Sequence, residues 1–534
     1  MRILIFHGYL LRGTGSNVYN ASLVTALAKL GHEVHLLCQD RHAGELPFVD
    51  AVGHWDAGKL RVETIREPVR VTAYLPDIGR TLPVYVADDY EGFDARPYPE
   101  LSDEEVEHYV AANAAAVREV AERGDIEIGL ANHMVMGPVI LARGLGARPY
   151  AVKIHGSALT YTVAPHRGRF LPYAAEGLAP AGAVLVGSRH TAEGLWRVMG
   201  DPEIEEKTRL GPPGVDADAF IPREDAAARV TALAERLERA DAAGWGSEAG
   251  AAAALRALDP ARDRIVSFVG KLIVSKGVDL LVAAWPLVVE QVPDARLVMV
   301  GFGTYRDGIE RLANALRDGD LDAAREIARR GRELEGGPAG ELRYLRSFLD
   351  RLDAGDEGAA GADAGGGADA RGGAGARGGA DRGARYLAAA ARGLARIHFT
   401  GRLEHSDLPD LLPACEAQVV PSTWPEAFGM VAAEAASCGV LPVSAAHSGL
   451  AEVSKILADA LPEALRPLLS FELREDAVEQ IADRLVRWLR LAPERRAAAS
   501  KDLSDVARAR FSWEGVANGV IDAAHGRLGA LPLP

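Results

Sequence analysis

Three cysteines in 534 residues, Cys38, Cys415 and Cys438, are too few and too odd in number for a disulfide framework. The set fits a reducing compartment, so a cytoplasmic location is expected. No stretch approaches the ~20 consecutive apolar residues that a membrane-spanning helix needs, although a peripheral membrane contact stays open. The opening MRILIFHGYLL has one arginine and a short apolar run, and no small-residue cleavage site follows. It therefore reads as a buried first strand rather than a secretory leader. Basic residues are in deficit, 60 Lys and Arg against 75 Asp and Glu, for a net charge of -15. That balance argues against a nucleic-acid partner, which calls for a basic face, yet allows a local basic cleft for phosphates. There is no Cys/His cluster with zinc spacing, no Gly-x-Ser-x-Gly elbow and no Walker string. Asp216-Ala-Asp218 matches an Asp-x-Asp metal pattern by its letters only. In an acidic chain it reads as a turn, and no metal site is expected.

What is present is the balance of a globular protein, 48% hydrophobic and 25% charged residues. The length exceeds one core, so two large domains with extras are expected. Short apolar runs alternate with helical patterns. The strand candidates are Ile3–Phe6, Val34–Leu37, Ile126–Leu130, Tyr150–Ile154 and Val184–Val186 in the first half. In the second they are Ile265–Val269, Leu297–Val300, Ile397–Thr400, Ala417–Val420 and Leu441–Ser444. Runs without polar alternation are covered on both faces, and strands alternating with helices form parallel sheets. The fold class is therefore α/β, two doubly wound Rossmann-like domains in tandem, with ligands at the carboxyl ends of strands.

The turn-rich Gly211-Pro-Pro-Gly214 sets domains at 1–214 and 215–505, followed by a C-terminal helical segment at 506–534 with Ser512 as its cap. Residues of about 224–260 are Ala- and Glu-rich and read as a helical insert. Asp353–Gly383 is nearly all Gly, Ala, Asp and Arg and reads as a disordered insert, because it has no large apolar residue to bury. The loops of about 41–110 carry no pattern that these rules decode.

Four constellations carry chemistry. Arg12-Gly13-Thr14-Gly15-Ser16 lies between the first strand and the first helix, where glycines let backbone approach an anion; a plain tight turn reads equally well. Val269-Gly-Lys271-Leu-Ile-Val-Ser-Lys276-Gly277 follows a strand and places two lysines where both can face one diphosphate, although solvated surface lysines are the commoner outcome. Pro421 to Gly439 puts Glu426 in a loop and Glu434 in the helix that begins near Gly429. Carboxylates accept paired hydrogen bonds from vicinal hydroxyls, and a helix N-terminus offers N–H groups to an anion. Two solvated glutamates near a helix start remain the plainer alternative. Lys153-Ile-His155-Gly156 ends a strand, where His155 reaches a cleft or is a satisfied core histidine; His7-Gly8 is a lesser candidate of the same kind.

Together these residues resemble the family 4 glycosyltransferases, retaining enzymes of the two-domain GT-B fold whose hallmark is Glu-x7-Glu, here Glu426 and Glu434. Val-Gly-Lys-Leu…Lys-Gly-Val-Asp (269–279), Val-Gly-Phe-Gly-Thr-Tyr (300–305), Phe-Thr-Gly-Arg-Leu (399–403) and Ser-Gly-Leu-Ala-Glu-Val (448–453) are similar to that family, as is the linker Gly214–Phe220. The resemblance implies two lobes facing across a cleft. The first would be on the acceptor side, the second would bind the nucleotide sugar, and the last helix would cross back to the first. It implies that Glu426 holds donor-sugar hydroxyls, helped by backbone N–H groups of Phe428, Gly429, Met430 and Val431. Glu434 would hold the ribose. Lys271 and Lys276 would clamp the diphosphate opposite the Gly13, Gly15 and Ser16 backbone. Backbone near Arg402 would meet the base, and His155 the sugar. An Arg is usual in the family where Lys271 stands, which keeps the charge and loses the bidentate fork.

The expected function is retaining transfer of a sugar from a nucleoside-diphosphate sugar to an acceptor hydroxyl, on a sugar, lipid or small molecule, with no cofactor. A nucleotide-sugar epimerase or hydrolase, or a non-catalytic binder on the same fold, are the rival readings.

Overall fold

The computed structural model describes residues 1–13, 15–86, 90–239, 250–354 and 375–534. Residues 240–249 of the first insert and 355–374 of the second lie outside the described residues. The chain divides into two units, Met1–Asp216 with Phe511–Pro534, and Ala217–Arg510. The crossings fall at 216/217 and 510/511, against 214/215 and 505/506 from the sequence pattern.

In the first unit, β1 (Arg2–Phe6) is a continuous apolar run because both of its faces are buried. Leu4 and Phe6 point into one core, Ile3 and Ile5 into the other. Ten further strands follow: β2 (Glu33–Leu37), β3 (Ala51–Asp56), β4 (Lys59–Thr64), β5 (Val71–Leu75), β6 (Thr81–Val84), β7 (Asp94–Pro97), β8 (Ile128–Asn132), β9 (Tyr150–Ile154), β10 (Val184–Val186) and β11 (Thr208–Leu210). The main sheet runs β11-β10-β9-β8-β1-β2-β5-β3-β4, parallel throughout except for β4 on β3. Chain order reverses between β1 and β8, which makes their carboxyl ends the switch point of this sheet.

Segment 41–110 is therefore not loop alone. The hairpin β3–β4 turns at Ala57 and Gly58, with φ of 49° and 73°, the left-handed pair of a tight hairpin. β4 lies at the sheet edge and is mostly exposed, so its polar sequence hid it. The helix Trp513–Ala524, capped by Ser512 Oγ accepting from the Gly515 N–H at 3.2 Å, buries Trp513, Ala517, Val520 and Ile521 in the first unit's core.

The second unit holds β12 (Arg264–Val269), β13 (Ala295–Val300), β14 (Ile397–Gly401), β15 (Ala417–Val420), β16 (Leu441–Ala445) and β17 (Ser470–Phe471). They form one all-parallel sheet, ordered β14-β13-β12-β15-β16-β17. Its switch point lies between β12 and β15. The described parts of both inserts are helical: Ala226–Arg239 and Ala251–Arg256 in the first, and the end of Arg343–Ala354 and the start of Gly375–Gly393 flanking 355–374 in the second. The expectation of disorder over 353–383 is thus corrected at its two edges. Residues 375–383 hold four glycines and do not favour a helix by propensity; they extend the helix of 384–393, whose Tyr386, Ala389 and Ala390 are buried.

Candidate functional site

At the second unit's switch point, three loops are pressed together through glycines. The strand-end carbonyl of Gly270 would lie 1.8 Å from a Cβ on Gly301, whose φ is 149°. Gly277, with φ 63°, sits so close to the next loop that a Cβ would meet the Pro421 carbonyl oxygen at 2.0 Å. Backbone bonds complete the lacing: Leu272 N–H to Phe302 O at 2.7 Å, Tyr305 N–H to Leu272 O at 3.0 Å, and Thr423 N–H to Ser275 O at 2.9 Å. No side chain other than hydrogen fits at these crossings. The result fixes the lysine loop, Gly270–Gly277, against the loop that follows β15.

That approach brings Lys276 Nζ to 2.5 Å from Glu426 Oε1, although the two lie 150 residues apart in sequence. Ser422 Oγ donates to the same oxygen at 2.6 Å. The Glu426 N–H donates to Ser448 Oγ at 2.9 Å, and the Gly449 N–H to Glu426 O at 3.0 Å. His447 links the two ends of the loop, with Nε2 at 2.7 Å from Ser422 O and Nδ1 at 3.0 Å from Ser448 Oγ. Burial pushes the Glu426 carboxyl up, but the Lys276 charge and the Lys276 and Ser422 hydrogen bonds outweigh it and leave it below the usual carboxylate range. Glu426 is therefore an anion at neutral pH, held by a cation.

Glu434 stands in the helix Met430–Ser437 and is 2% exposed. Its Oε1 lies 2.7 Å from His405 Nε2, on the turn after β14. No side chain caps the start of this helix, so the N–H groups expected at Phe428–Val431 stand at the carboxyl end of β15, one turn before Glu434. Arg402, in the same loop as His405, lies with its guanidinium 5.3 Å from the Phe302 ring centre. Lys271 is half-buried at the start of the lysine loop. The structure thus joins Lys276 to Glu426 directly. It adds Ser422, His447, Ser448 and His405, none of which the sequence singled out.

In the first unit, the switch point carries a second polar cluster. His7 follows β1, and its Nδ1 accepts from the Asn20 amide at 3.0 Å, while Nε2 lies 2.9 Å from Asn17 Oδ1 and 3.0 Å from Leu10 O. Asn132, the last residue of β8, bonds Asn20 and takes His155 Nε2 on Oδ1 at 2.8 Å. His133 stacks beside them, its ring centre 5.0 Å from that of His155. Burial lowers His7 to about 4 and puts His133 and His155 well below the ordinary value, so all three imidazoles are neutral at neutral pH. Gly15 and Ser16 begin the helix Gly15–Lys29, whose Asn17 and Asn20 clamp His7; Gly13 is exposed just before it, and Thr14 lies outside the described residues. The weaker candidate, His7, is therefore in the same network as His155.

Lys153, on β9, is 2% exposed and donates to the Gly211 carbonyl at 2.5 Å, with its ammonium 5.5 Å from the Tyr19 ring centre. Burial pulls it from 10.5 to about 7. Below that value both folded and unfolded chains carry the charge, so the folded state bears its full desolvation cost. Between about 7 and 10.5 the folded chain gives up the proton and the cost fades as pH rises. Lys153→Met is expected to raise the melting temperature by several degrees near pH 6, with the advantage shrinking toward about pH 9.5. A pH-independent difference in melting scans contradicts this account.

Among the described residues, no group of three or more His, Cys, Asp or Glu could hold a metal ion, and no helix is long and apolar enough to cross a membrane.

Residues 13–219 match Glycosyltransferase Family 4, and residues 372–461 match Glycosyl transferases group 1. A GDP-mannose-dependent alpha-(1-6)-phosphatidylinositol monomannoside mannosyltransferase of Mycolicibacterium smegmatis is 30% identical over 186 residues, covering 34% of this chain and 39% of that protein. A D-inositol 3-phosphate glycosyltransferase of Mycobacterium tuberculosis is 32% identical over 136 residues, 25% of this chain and 26% of its own length. Among solved structures, sucrose-phosphate synthase from Thermosynechococcus elongatus superposes with a TM-score of 0.55 at 18% identity, covering 99% of both chains. HepE of Anabaena in complex with UDP-glucose gives 0.53 at 15% identity over 98% of each chain. The fold is theirs.

Proposed function

We propose that this chain, whose residues 13–219 and 372–461 match glycosyltransferase families, moves a sugar from a nucleoside-diphosphate sugar to an acceptor hydroxyl, with retention of configuration and without a metal ion. The observation that carries this reading is the Lys276–Glu426 pair, 2.5 Å across, at the carboxyl ends of β12 and β15. A donor has a dianionic diphosphate beside a ring of hydroxyls. An ammonium and a carboxylate set side by side match that pattern, and each neutralises the other until the donor separates them. Lys276, with Lys271 and the start of the helix Met430–Ser437, stabilises the departing diphosphate as charge develops on it. Glu426, freed from Lys276, accepts the sugar hydroxyls, and Glu434 accepts those of the ribose. Attack by the acceptor from the face of the leaving group, with a leaving phosphate oxygen taking the proton, gives retention without a protein nucleophile.

The test is a melting-temperature screen against UDP-, GDP- and ADP-sugars. The named relatives make GDP-mannose and UDP-glucose the first to try. One donor is expected to raise the melting point by several degrees and to lose that effect in Glu426→Gln. No shift with any of them defeats the reading. Rapid release of free or epimerised sugar without acceptor favours hydrolase or epimerase chemistry instead.

A further inference from the structure

We infer that His405 is a positioning residue for the ribose end of the donor, and that the helical insert exists in part to hold it there. This inference rests on the proposed function. The Glu434 carboxylate is buried, and its Oε1 is taken by His405 Nε2 at 2.7 Å. A buried carboxylate with one oxygen tied has its plane and rotation fixed, so the remaining acceptor sites point one way. A vicinal diol needs that fixed pair of directions; a carboxylate free to rotate accepts a hydroxyl anywhere on an arc.

The turn that carries His405 is itself braced from three sides. Asp407, two residues on, accepts the Glu404 N–H on Oδ2 at 3.0 Å. Its Oδ1 accepts from Arg236 at 2.8 Å. Arg236 lies on the insert helix Ala226–Arg239 and also reaches Asp410 at 3.2 Å, where Arg229 of the same helix donates at 2.9 Å. Behind the imidazole, the Phe220 ring centre is 5.2 Å away, and the Phe220 carbonyl accepts from Ser437 Oγ at 2.6 Å. Ser437 ends the helix on which Glu434 stands. The histidine and its carboxylate are thus referenced to one another through Phe220, and the turn is referenced to the insert through Arg236, with Arg229 holding Asp410 just beyond it. A helix added to a nucleotide-binding sheet merely as surface decoration has no reason to send one guanidinium group to this turn and two to Asp410 just after it.

The experiment is calorimetric titration of the full chain with UDP, GDP and ADP and with their 2′-deoxy counterparts. For the accepted base, the native protein is expected to prefer the ribonucleotide about tenfold or more, the scale of a hydrogen bond to a charged group. In His405→Leu that preference falls to within about threefold, whereas His405→Gln, which keeps an N–H donor, retains most of it. Arg236→Gln, remote from the nucleotide, lowers it partway. A ribose preference that survives in His405→Leu leaves the imidazole as packing and overturns the inference while the family reading stands. Tighter ribonucleotide binding in His405→Leu makes His405 an occupant of the seat and overturns it equally. Absence of any nucleotide binding by the native chain defeats the family reading and this inference with it.

Discussion

Replacing Lys276 by alanine is expected to lower turnover by about 100-fold or more, with the folded structure retained. Two effects add. The diphosphate loses a fixed cation when its charge develops, and Glu426 loses the partner that keeps it ionised. Burial pushes the Glu426 carboxyl up, and the Lys276 charge is the first of the terms that reverse this. In the native chain the carboxyl is held below 4.5, so its contribution to stability is complete above that pH and is lost as pH falls through its lowered value. Without Lys276 the burial term prevails: the acid limb of activity moves to higher pH, and the stability that the ionised carboxyl contributes above 4.5 is lost. Initial rates across a pH series, with the donor picked by the melting screen, read both effects. Native-like turnover, or an acid limb that does not move, removes the ion pair from the mechanism.

Gly277→Ala is expected to destabilise the chain by about 3 kcal/mol or more, and to abolish donor binding as well. Its φ of 63° already disfavours a side chain, and the new Cβ would stand 2.0 Å from the Pro421 carbonyl oxygen. Relief of that clash parts the lysine loop from the Glu426 loop, which is the geometry that joins cation to anion. Gly336 offers the control. Its φ is 80°, but a Cβ there meets nothing within 4 Å, so Gly336→Ala is expected to cost only the backbone strain, about 1 kcal/mol. Denaturant titration of the two variants separates clash from strain. Equal losses in both would show that the contact with Pro421 is not tight.

What could be read from the sequence follows a physical division. Strands buried on both faces, such as β1, β9, β12 and β15, announce themselves as unbroken apolar runs, and the polar clusters of both units gather just past their ends. β3 to β7 were not legible: β4 is an exposed edge and β6 and β7 pair only with each other, and their short polar–apolar alternation, as in Lys59-Leu60-Arg61-Val62, comes without an apolar run to mark it. The candidate site divides in the same way. Lys276, Glu426, Glu434 and His155 follow from type and position. Their partners do not, because the contacts are made by tertiary structure: His405 comes 29 residues before Glu434, and Asn132 comes 23 before His155. One signal was within reach, since His405 follows a strand end by the same rule that picked out His155. The insert Ala226–Arg239 read only as helical, and nothing in its composition says that Arg229 and Arg236 converge on Asp410.

The hydrophobic face that receives Trp513, Ala517, Val520 and Ile521 belongs to strands and helices of residues 3–185, more than 300 residues earlier in the chain. On the ribosome, that face waits until the whole of Ala217–Arg510 has been synthesised. The nascent first unit therefore carries an uncovered apolar patch for most of its synthesis, while the second unit, continuous in sequence, can close as soon as it emerges. Molecules terminated just before Phe511 would hold a closed second unit and a first unit whose apolar face stays open, a species expected to aggregate.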